Sequence, residues 1–339
     1  MKTLLVGYKA SDLFETRKHG KRTTATWALD AGVTCHCIDI YDRHAIEKVH
    51  HIKAVCAPNI PEGDWDVIKF KTGPKLMSGE LALDLLQQCH ILAGKTTGSE
   101  GRKCSLEVEF VGKERDRNDL LAKIADDPSR VRDFSAKWKA SVPGGKPMEF
   151  TSFPGCFCHR RLDEVGLALA EVVTRELSTP VPRSPFPGPR SPFPGPRSPF
   201  PIKILDMGCG CGLVGFLIAG AVGNVELVMV DSSSRATQAA ELNSKNLGIP
   251  AEVVLADNGM PTRMDGTFDV FVGNPPYYSD YRIADVFLET ALRALKPGGA
   301  CYTVCKNAAG LETVQAKYFP SVEIIKRRGY AVLKSVKPL

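Results

Sequence analysis

In this 339-residue chain the run Phe268-Asp269-Val270-Phe271-Val272-Gly273-Asn274-Pro275-Pro276-Tyr277 carries an apolar stretch into a carboxamide, two prolines and an aromatic ring. These residue types suit one kind of chemistry. An exocyclic amine conjugated to a heterocycle is a poor nucleophile, because its lone pair is delocalised into the ring. Two carbonyl acceptors, the Asn274 side chain and the Pro275 backbone, can bind the amine hydrogens and favour a more pyramidal nitrogen. Consecutive prolines, Pro275 and Pro276, stiffen such a loop and leave carbonyls without competing amide donors. Tyr277 can stack on the face of a planar acceptor and hold it in line with a donor. Asn-Pro-Pro is also good turn chemistry, so its weight depends on what lies beside it.

A second run, Asp206-Met207-Gly208-Cys209-Gly210-Cys211-Gly212, leaves one apolar stretch and enters another. Glycines let the backbone turn sharply and approach a ligand with no Cβ in the way, and the helix that follows presents free amides. Alone, the turn also suits NAD or FAD. Here the next apolar stretch ends in Asp231, about 20 residues on, where a carboxylate can accept two ribose hydroxyls. The stretch after that ends in Asp257-Asn258, where a carboxylate can take an adenine amino group. Acids at three successive strand ends point to the edge where open α/β sheets hold ligands. With the Asn-Pro-Pro-Tyr loop they imply methyl transfer rather than hydride transfer, from an already activated sulfonium donor that needs no metal. The candidate cofactor residues are Asp206, Gly208, Gly210, Gly212, Asp231, Asp257, Asn258 and Asn274. The candidate catalytic residues are Asn274, Pro275, Pro276 and Tyr277.

The elements that must position these residues follow from hydrophobic periodicity. Strands are expected at 202–206, 225–231, 252–256, 268–273 and 300–305, with helices at 213–221, 234–247, 283–295 and 311–318. Two closing strands, 322–327 and 330–335, flank the turn residues Arg328 and Gly329. Alternating β and α elements imply a parallel sheet covered on both faces, here finished by an antiparallel hairpin. The first 150 residues repeat the theme less cleanly, with strands at 3–7, 33–40, 66–71 and 106–111 and helices at 78–88 and, further on, 162–177. Gly94-Lys95-Thr96 brushes against a phosphate-loop ending, but the upstream glycine would fall on Cys89, which rejects that motif.

The length exceeds one ordinary core and suits two domains. Hydrophobic residues at 43% and charged residues at 24% fit a globular protein, and no apolar run reaches the roughly 18–20 residues of a membrane span. The start has no small-residue cleavage pattern, so a cytoplasmic location and no membrane partner are expected. Eleven cysteines, an odd number, do not suggest a disulfide framework. The pairs Cys35/Cys37, Cys156/Cys158 and Cys209/Cys211 lack the spacing of a structural zinc site, so no metal is expected. A net charge of +6 permits a nucleic-acid substrate without requiring one. From Ser184 the heptad SPFPGPR is written twice, at 184–190 and 191–197, and begun again at 198–201. Proline on this scale excludes helix and sheet, so an extended insertion is expected ahead of the strand at 202.

The D-x-G-x-G-x-G turn with an N-P-P-Y loop resembles class I S-adenosylmethionine-dependent methyltransferases that act on amino nitrogens. Phe150-Thr-Ser-Phe-Pro-Gly-Cys-Phe157-Cys-His-Arg-Arg-Leu-Asp163 is similar to the F-T-x-P-G-V-F-S-x-x-x-L-D segment of the methyltransferase small-domain family, including its ribosomal RNA guanine-N2 members. Arg327-Arg-Gly-Tyr-Ala-Val-Leu-Lys334 is similar to that family's terminal hairpin. The resemblance covers residues 150–336. It implies an α/β fold with a Rossmann-like class I methyltransferase sheet and a C-terminal antiparallel hairpin. Residues 150–339 would form the catalytic domain, interrupted by a Pro-rich loop at 180–201. Residues 1–149 would form a degenerate methyltransferase-like domain for substrate recognition. It also implies S-adenosyl-L-methionine as cofactor and, as acceptor, guanine N2 in ribosomal RNA or a ribosomal subunit. Tyr277-Tyr278 stands where the family has Phe-His, which keeps adenine N6 as an alternative. Release-factor methyltransferases use the same loop on a glutamine amide, but their N-terminal domains are small helical bundles. A non-catalytic RNA-binding assembly factor is the remaining alternative, against which the intact glycines, Asp231 and Asn274 stand.

Overall fold

The computed structural model describes residues 1–16, 22–24, 32–50, 52–95, 103–125, 132–179, 200–257, 261–276 and 281–339. The proline repeat as far as residue 199, Asn258, Tyr277 and Tyr278 lie outside the described residues. The chain divides into two units: 1–135 with 153–155 and 233–235, and 136–152 with 156–232 and 236–339.

The first unit contains β1 (Thr3–Val6), β2 (Phe14–Thr16), β3 (Arg22–Thr24), β4 (Val33–Cys37), α1 (Ile40–His50), β5 (Lys53–Cys56), β6 (Val67–Thr72), α2 (Gly79–Lys95), β7 (Ser105–Phe110) and α3 (Glu114–Ala125). Five strands form a sheet in the order β5-β4-β1-β6-β7, every pair parallel. Both faces of β1 are buried: Leu4 and Val6 enter the cluster built on α2, and Leu5 enters the one containing Cys35, Cys37 and Ile46. A two-residue side-chain period with apolar residues on both sides is what a doubly covered parallel strand requires. The expected strand 33–40 stops at Cys37, and Ile40 opens α1. Short apolar alternation does not distinguish a strand end from the first turn of a helix. The expected helix 78–88 runs on to Lys95, because Leu92 and Ala93 continue its packed face.

The second unit opens with a hairpin, β8 (Ala136–Ala140) and β9 (Met148–Ser152), whose Trp138 and Phe150 rings stack 5.1 Å apart. The boundary expected at 149/150 falls within β9, and the whole hairpin groups with the second unit. There follow α4 (Glu164–Ser178), β10 (Ile202–Met207), α5 (Leu213–Val222), β11 (Val225–Asp231), α6 (Ser234–Leu247), β12 (Ala251–Leu255), β13 (Phe268–Gly273), α7 (Arg282–Ala294), β14 (Leu295–Cys305), α8 (Ala308–Gln315), β15 (Glu323–Arg327) and β16 (Tyr330–Val336). The sheet order is β12-β11-β10-β13-β14-β16-β15, parallel except for β16, which is antiparallel to both neighbours. The β15–β16 turn places Arg328 at φ 51° and Gly329 at φ 75°, the left-handed pair that matches hairpin twist.

The topology fixes where chemistry can occur. The chain leaves β10 outward to β11 and β12, then returns to β13 on the other side of β10. Ligand crevices of open α/β sheets lie at such a reversal, beyond the carboxyl ends of the strands. Registers Met207↔Val230 and Met207↔Gly273 bring the glycine turn, Asp231 and Asn274 to that one edge.

Candidate active site

Gly208, Gly210 and Gly212 adopt φ of 69°, 56° and 87°, a region that L side chains rarely enter. Two of them also lack room for a side chain. A Cβ on Gly212 would lie 2.4 Å from the Phe216 ring, and one on Gly208 would lie 2.8 Å from Phe287. Gly210 differs, since a Cβ there would meet nothing within 4 Å. The loop therefore packs its outer glycines on the core and turns the middle one toward open space. Its amides are held by neighbouring strand ends. Gly208 N donates to Val230 O at 2.8 Å and Gly210 N to Asp231 Oδ2 at 2.9 Å.

The three strand-end acids occupy different environments. Asp206 is 2% exposed and its Oδ2 accepts from Gly215 N at 2.9 Å. Burial pushes its carboxyl up to about 7, and the negative charge of Asp231 adds to the rise. Asp206 thus braces the first turn of α5 from beneath the loop. Asp231 is half-buried at the end of β11, and its backbone oxygen accepts from Ala256 N at 3.0 Å, which ties the ends of β11 and β12 together. Asp257 follows as a half-buried carboxylate. On the other side of β10, Asn274 is half-buried, Pro275 is buried and Pro276 is half-buried. The Asn274 Nδ2 donates to Asp163 Oδ2 at 3.3 Å. Of the sequence candidates, the structure brings Asp206, Gly208, Gly210, Gly212, Asp231, Asp257, Asn274, Pro275 and Pro276 to one sheet edge, while Asn258 and Tyr277 lie outside the described residues.

Two supporting side chains were given no role by the sequence reading, although Asp163 closes the segment similar to the family. Asp163 caps α4: its Oδ1 accepts from Val165 N at 3.0 Å while its other oxygen faces Asn274. Asn243, in α6 and fully buried, accepts from Thr151 N at 2.8 Å and donates to Thr151 O at 2.8 Å and Cys211 O at 2.9 Å. One carboxamide thereby stitches the end of β9 to the glycine turn. A polar residue on the otherwise buried side of an amphipathic helix is the signal that could have flagged it. The thiols around this turn are quiet. Burial raises Cys209 strongly and pushes Cys211 up to about 12, which suppresses the thiolate needed for nucleophilic attack or metal binding. Among the described residues no group of three His, Cys, Asp or Glu side chains could hold a metal ion. No helix there is long and apolar enough to cross a membrane.

Residues 196–334, which take in β10 through most of β16, match the family described as the methyltransferase small domain. The C-terminal unit thus carries a stretch similar to the methyltransferase small domain. Relatives of this methyltransferase include the ribosomal RNA small subunit methyltransferase C of a Marinomonas species, 25% identical over 99% of this chain and 84% of that protein. The ribosomal RNA large subunit methyltransferase G of Pseudomonas paraeruginosa is 28% identical over 64% of this chain, which spans only 53% of that longer protein. Among solved structures, the T. thermophilus 16S rRNA N2 methyltransferase in complex with AdoMet and guanosine superimposes with a TM-score of 0.70 at 15% identity. That match covers 99% of this chain and 88% of that one, so the likeness extends to both α/β units of the fold.

Proposed function

We propose that this methyltransferase transfers a methyl group from S-adenosylmethionine to the exocyclic amino nitrogen of an RNA base, guanine N2 of ribosomal RNA. The observation that carries the reading is the Asn274-Pro275-Pro276 turn at the end of β13, beside a glycine turn whose middle residue opens onto free space. The residues fit an adenosyl cofactor. Gly210 supplies a surface without a side chain, Asp231 would accept from ribose hydroxyls, and Asp257 with Asn258 would take the adenine amino group. Bound there, the cofactor would supply a methyl group already activated on a sulfonium. The chain's own task is to prepare the acceptor. Asn274 Oδ1 and the Pro275 carbonyl accept the two amine hydrogens, which draws electron density back onto nitrogen and fixes its approach. Pro275 and Pro276 hold those acceptors rigid, because neither contributes an amide that could turn inward. Tyr277, assigned from sequence, would stack on the base.

The relatives named for ribosomal RNA methylation support the substrate class, and the structural relative that holds guanosine supports the base. The five-stranded parallel sheet of the first unit counts against the glutamine-methylating alternative, whose N-terminal domains are helical bundles. The test is tritium transfer from labelled S-adenosylmethionine to purified ribosomal subunits and to free ribosomal RNA, followed by nucleoside identification. N2-methylguanosine is the expected product. N6-methyladenosine would replace the base assignment, and label in protein alone would remove the RNA reading.

A further inference from the structure

We propose that Asp163 is a positioning residue for the reaction, one that fixes the Asn274 carboxamide with its oxygen turned toward the acceptor amine. The inference rests on the reading of Asn274 given above and extends it to a group outside the Asn-Pro-Pro loop.

A carboxamide has two nearly isosteric ends, one accepting and one donating, and only its partners decide which way it faces. For Asn274 the choice matters, because an amine needs an acceptor. With Nδ2 toward the base, Asn274 would confront two amine hydrogens with two of its own. The Asp163 carboxylate removes the ambiguity, since an ionised carboxylate only accepts. Its Oδ2 lies 3.3 Å from Asn274 Nδ2, and the reversed amide would set two oxygens against each other.

Asp163 is itself firmly placed. It is the N-cap of α4, with backbone angles of −81° and 95°, and its Oδ1 accepts from Val165 N at 3.0 Å. Gly166 makes room for it, since a Cβ there would lie 2.6 Å from Asp163 Oδ2. Burial raises the carboxyl, while the Gly166 and Val165 amides, the Asn274 amide and the Arg161 guanidinium oppose that rise. The Cys158 and Cys211 thiols are the other titratable groups facing it, and burial raises both. Capping and orientation use different oxygens, so the two roles can be separated by mutation.

The full-length protein is assayed with S-adenosylmethionine and ribosomal RNA as wild type, Asp163→Ser, Asp163→Asn, Asn274→Ala and Asp163→Ser/Asn274→Ala. Serine and asparagine both cap helices well. Serine is too short to reach Asn274, and asparagine offers it either an acceptor or a donor. The expected result is a kcat lowered at least tenfold in Asp163→Ser and less in Asp163→Asn. KM for the cofactor and the melting temperature should stay at wild-type values. Asp163→Ser should add nothing to Asn274→Ala in the double variant. Wild-type kcat in both Asp163 variants, with Asn274→Ala impaired, overturns the proposal and leaves the amine reading standing. A further loss in the double variant, or a kcat that falls only in step with melting temperature, also overturns it. Full activity of Asn274→Ala overturns the amine reading and the proposal together.

Discussion

The sheet β5-β4-β1-β6-β7 and the stretch β12-β11-β10-β13-β14 of the second sheet place their strands in the same order, each with its first strand in the middle. At the carboxyl edge they part. Three glycines with positive φ follow β10, whereas after β1 comes Gly7, with φ 78°, and then Tyr8, only 7% exposed. The Tyr8 hydroxyl donates to Glu109 at 3.0 Å. Lys71 Nζ lies 3.0 Å from Asp12 and 2.9 Å from Glu109, and 5.5 Å from the centre of the Tyr8 ring. In the first unit, side chains thus cover the edge that the glycine turn leaves open in the second. Where β11 ends in Asp231, β4 ends in Cys37, and where β13 runs into Asn274-Pro275-Pro276, β6 runs into Gly73-Pro74. The first unit does keep a cleft of about 580 Å³, lined by Gly73, Ser78, Phe110, Asp116 and Lys123 among others, but the acid named there, Asp116, lies in α3 rather than at a strand end. One scaffold thus occurs twice, and the site residues rather than the strand order separate the two copies.

That contrast breaks most sharply at Asn274. If Asn274 accepts from the reacting amine as proposed, Asn274→Ala should lower turnover roughly 100-fold or more while keeping cofactor affinity. Single-turnover methyl transfer beside a calorimetric titration separates the two quantities. Next comes Asp231. Removing a carboxylate proposed to accept charge-assisted hydrogen bonds from the cofactor, each worth about 1.5–3 kcal/mol, should weaken S-adenosylmethionine binding by roughly 10- to 100-fold. The companion Glu109→Gln in the first unit should leave that affinity unchanged. The titration should close at one cofactor per chain, and a second equivalent would erase the distinction between the two sheets.

A smaller effect concerns Asp206. Its carboxyl, raised by burial to about 7 in the folded protein, is near 3.9 when unfolded. Between those values the folded state holds the extra proton, so stability falls as pH rises through this window and levels off outside it. Asp206→Asn keeps an acceptor for Gly215 N without a charge to bury. Its melting temperature, measured without cofactor, should lose much of that slope between about pH 4 and pH 7. A slope identical to wild type would assign the pH dependence to other groups. The smallest effect is expected at the proline repeat. It enters β10 at the amino end of the strand, while Gly208, Asp231, Asp257 and Asn274 all follow carboxyl ends. Replacing 182–199 with a short Gly/Ser linker should therefore leave cofactor affinity and methylation rate within a few-fold of wild type, since loop length itself costs only about 0.6 kcal/mol per doubling. A selective loss of RNA affinity would instead assign Arg183, Arg190 and Arg197 to the substrate.

The glycine turn, the acids at 206, 231 and 257 and the Asn-Pro-Pro run could be read from the sequence because local stereochemistry dictates them. Positive φ calls for glycine, a stiff acceptor loop calls for proline, and a strand end is marked where an apolar run stops. The catalytic strands were legible for the same reason, since buried parallel strands are nearly continuous apolar runs. In the first unit α3 was missed, its sequence Glu-Arg-Asp-Arg-Asn-Asp carrying little apolar period until Leu120 and Ile124. The short β5 and the β8–β9 hairpin were missed as well, each too brief to stand out. What no local pattern could supply were the partners. Asp163 meets Asn274 across 111 residues, and Asn243 meets Thr151 across 92. A cap or a helical asparagine looks the same in sequence whether or not it also holds a loop. Those meetings depend on sheet order and on the way α4 and α6 pack against it. By itself the sequence determined which backbone turns can form and which residue types stand at strand ends, because these are settled within a few bonds. Only the tertiary structure decided which oxygen faces which amide, because that depends on chain segments that meet only after the sheet has assembled.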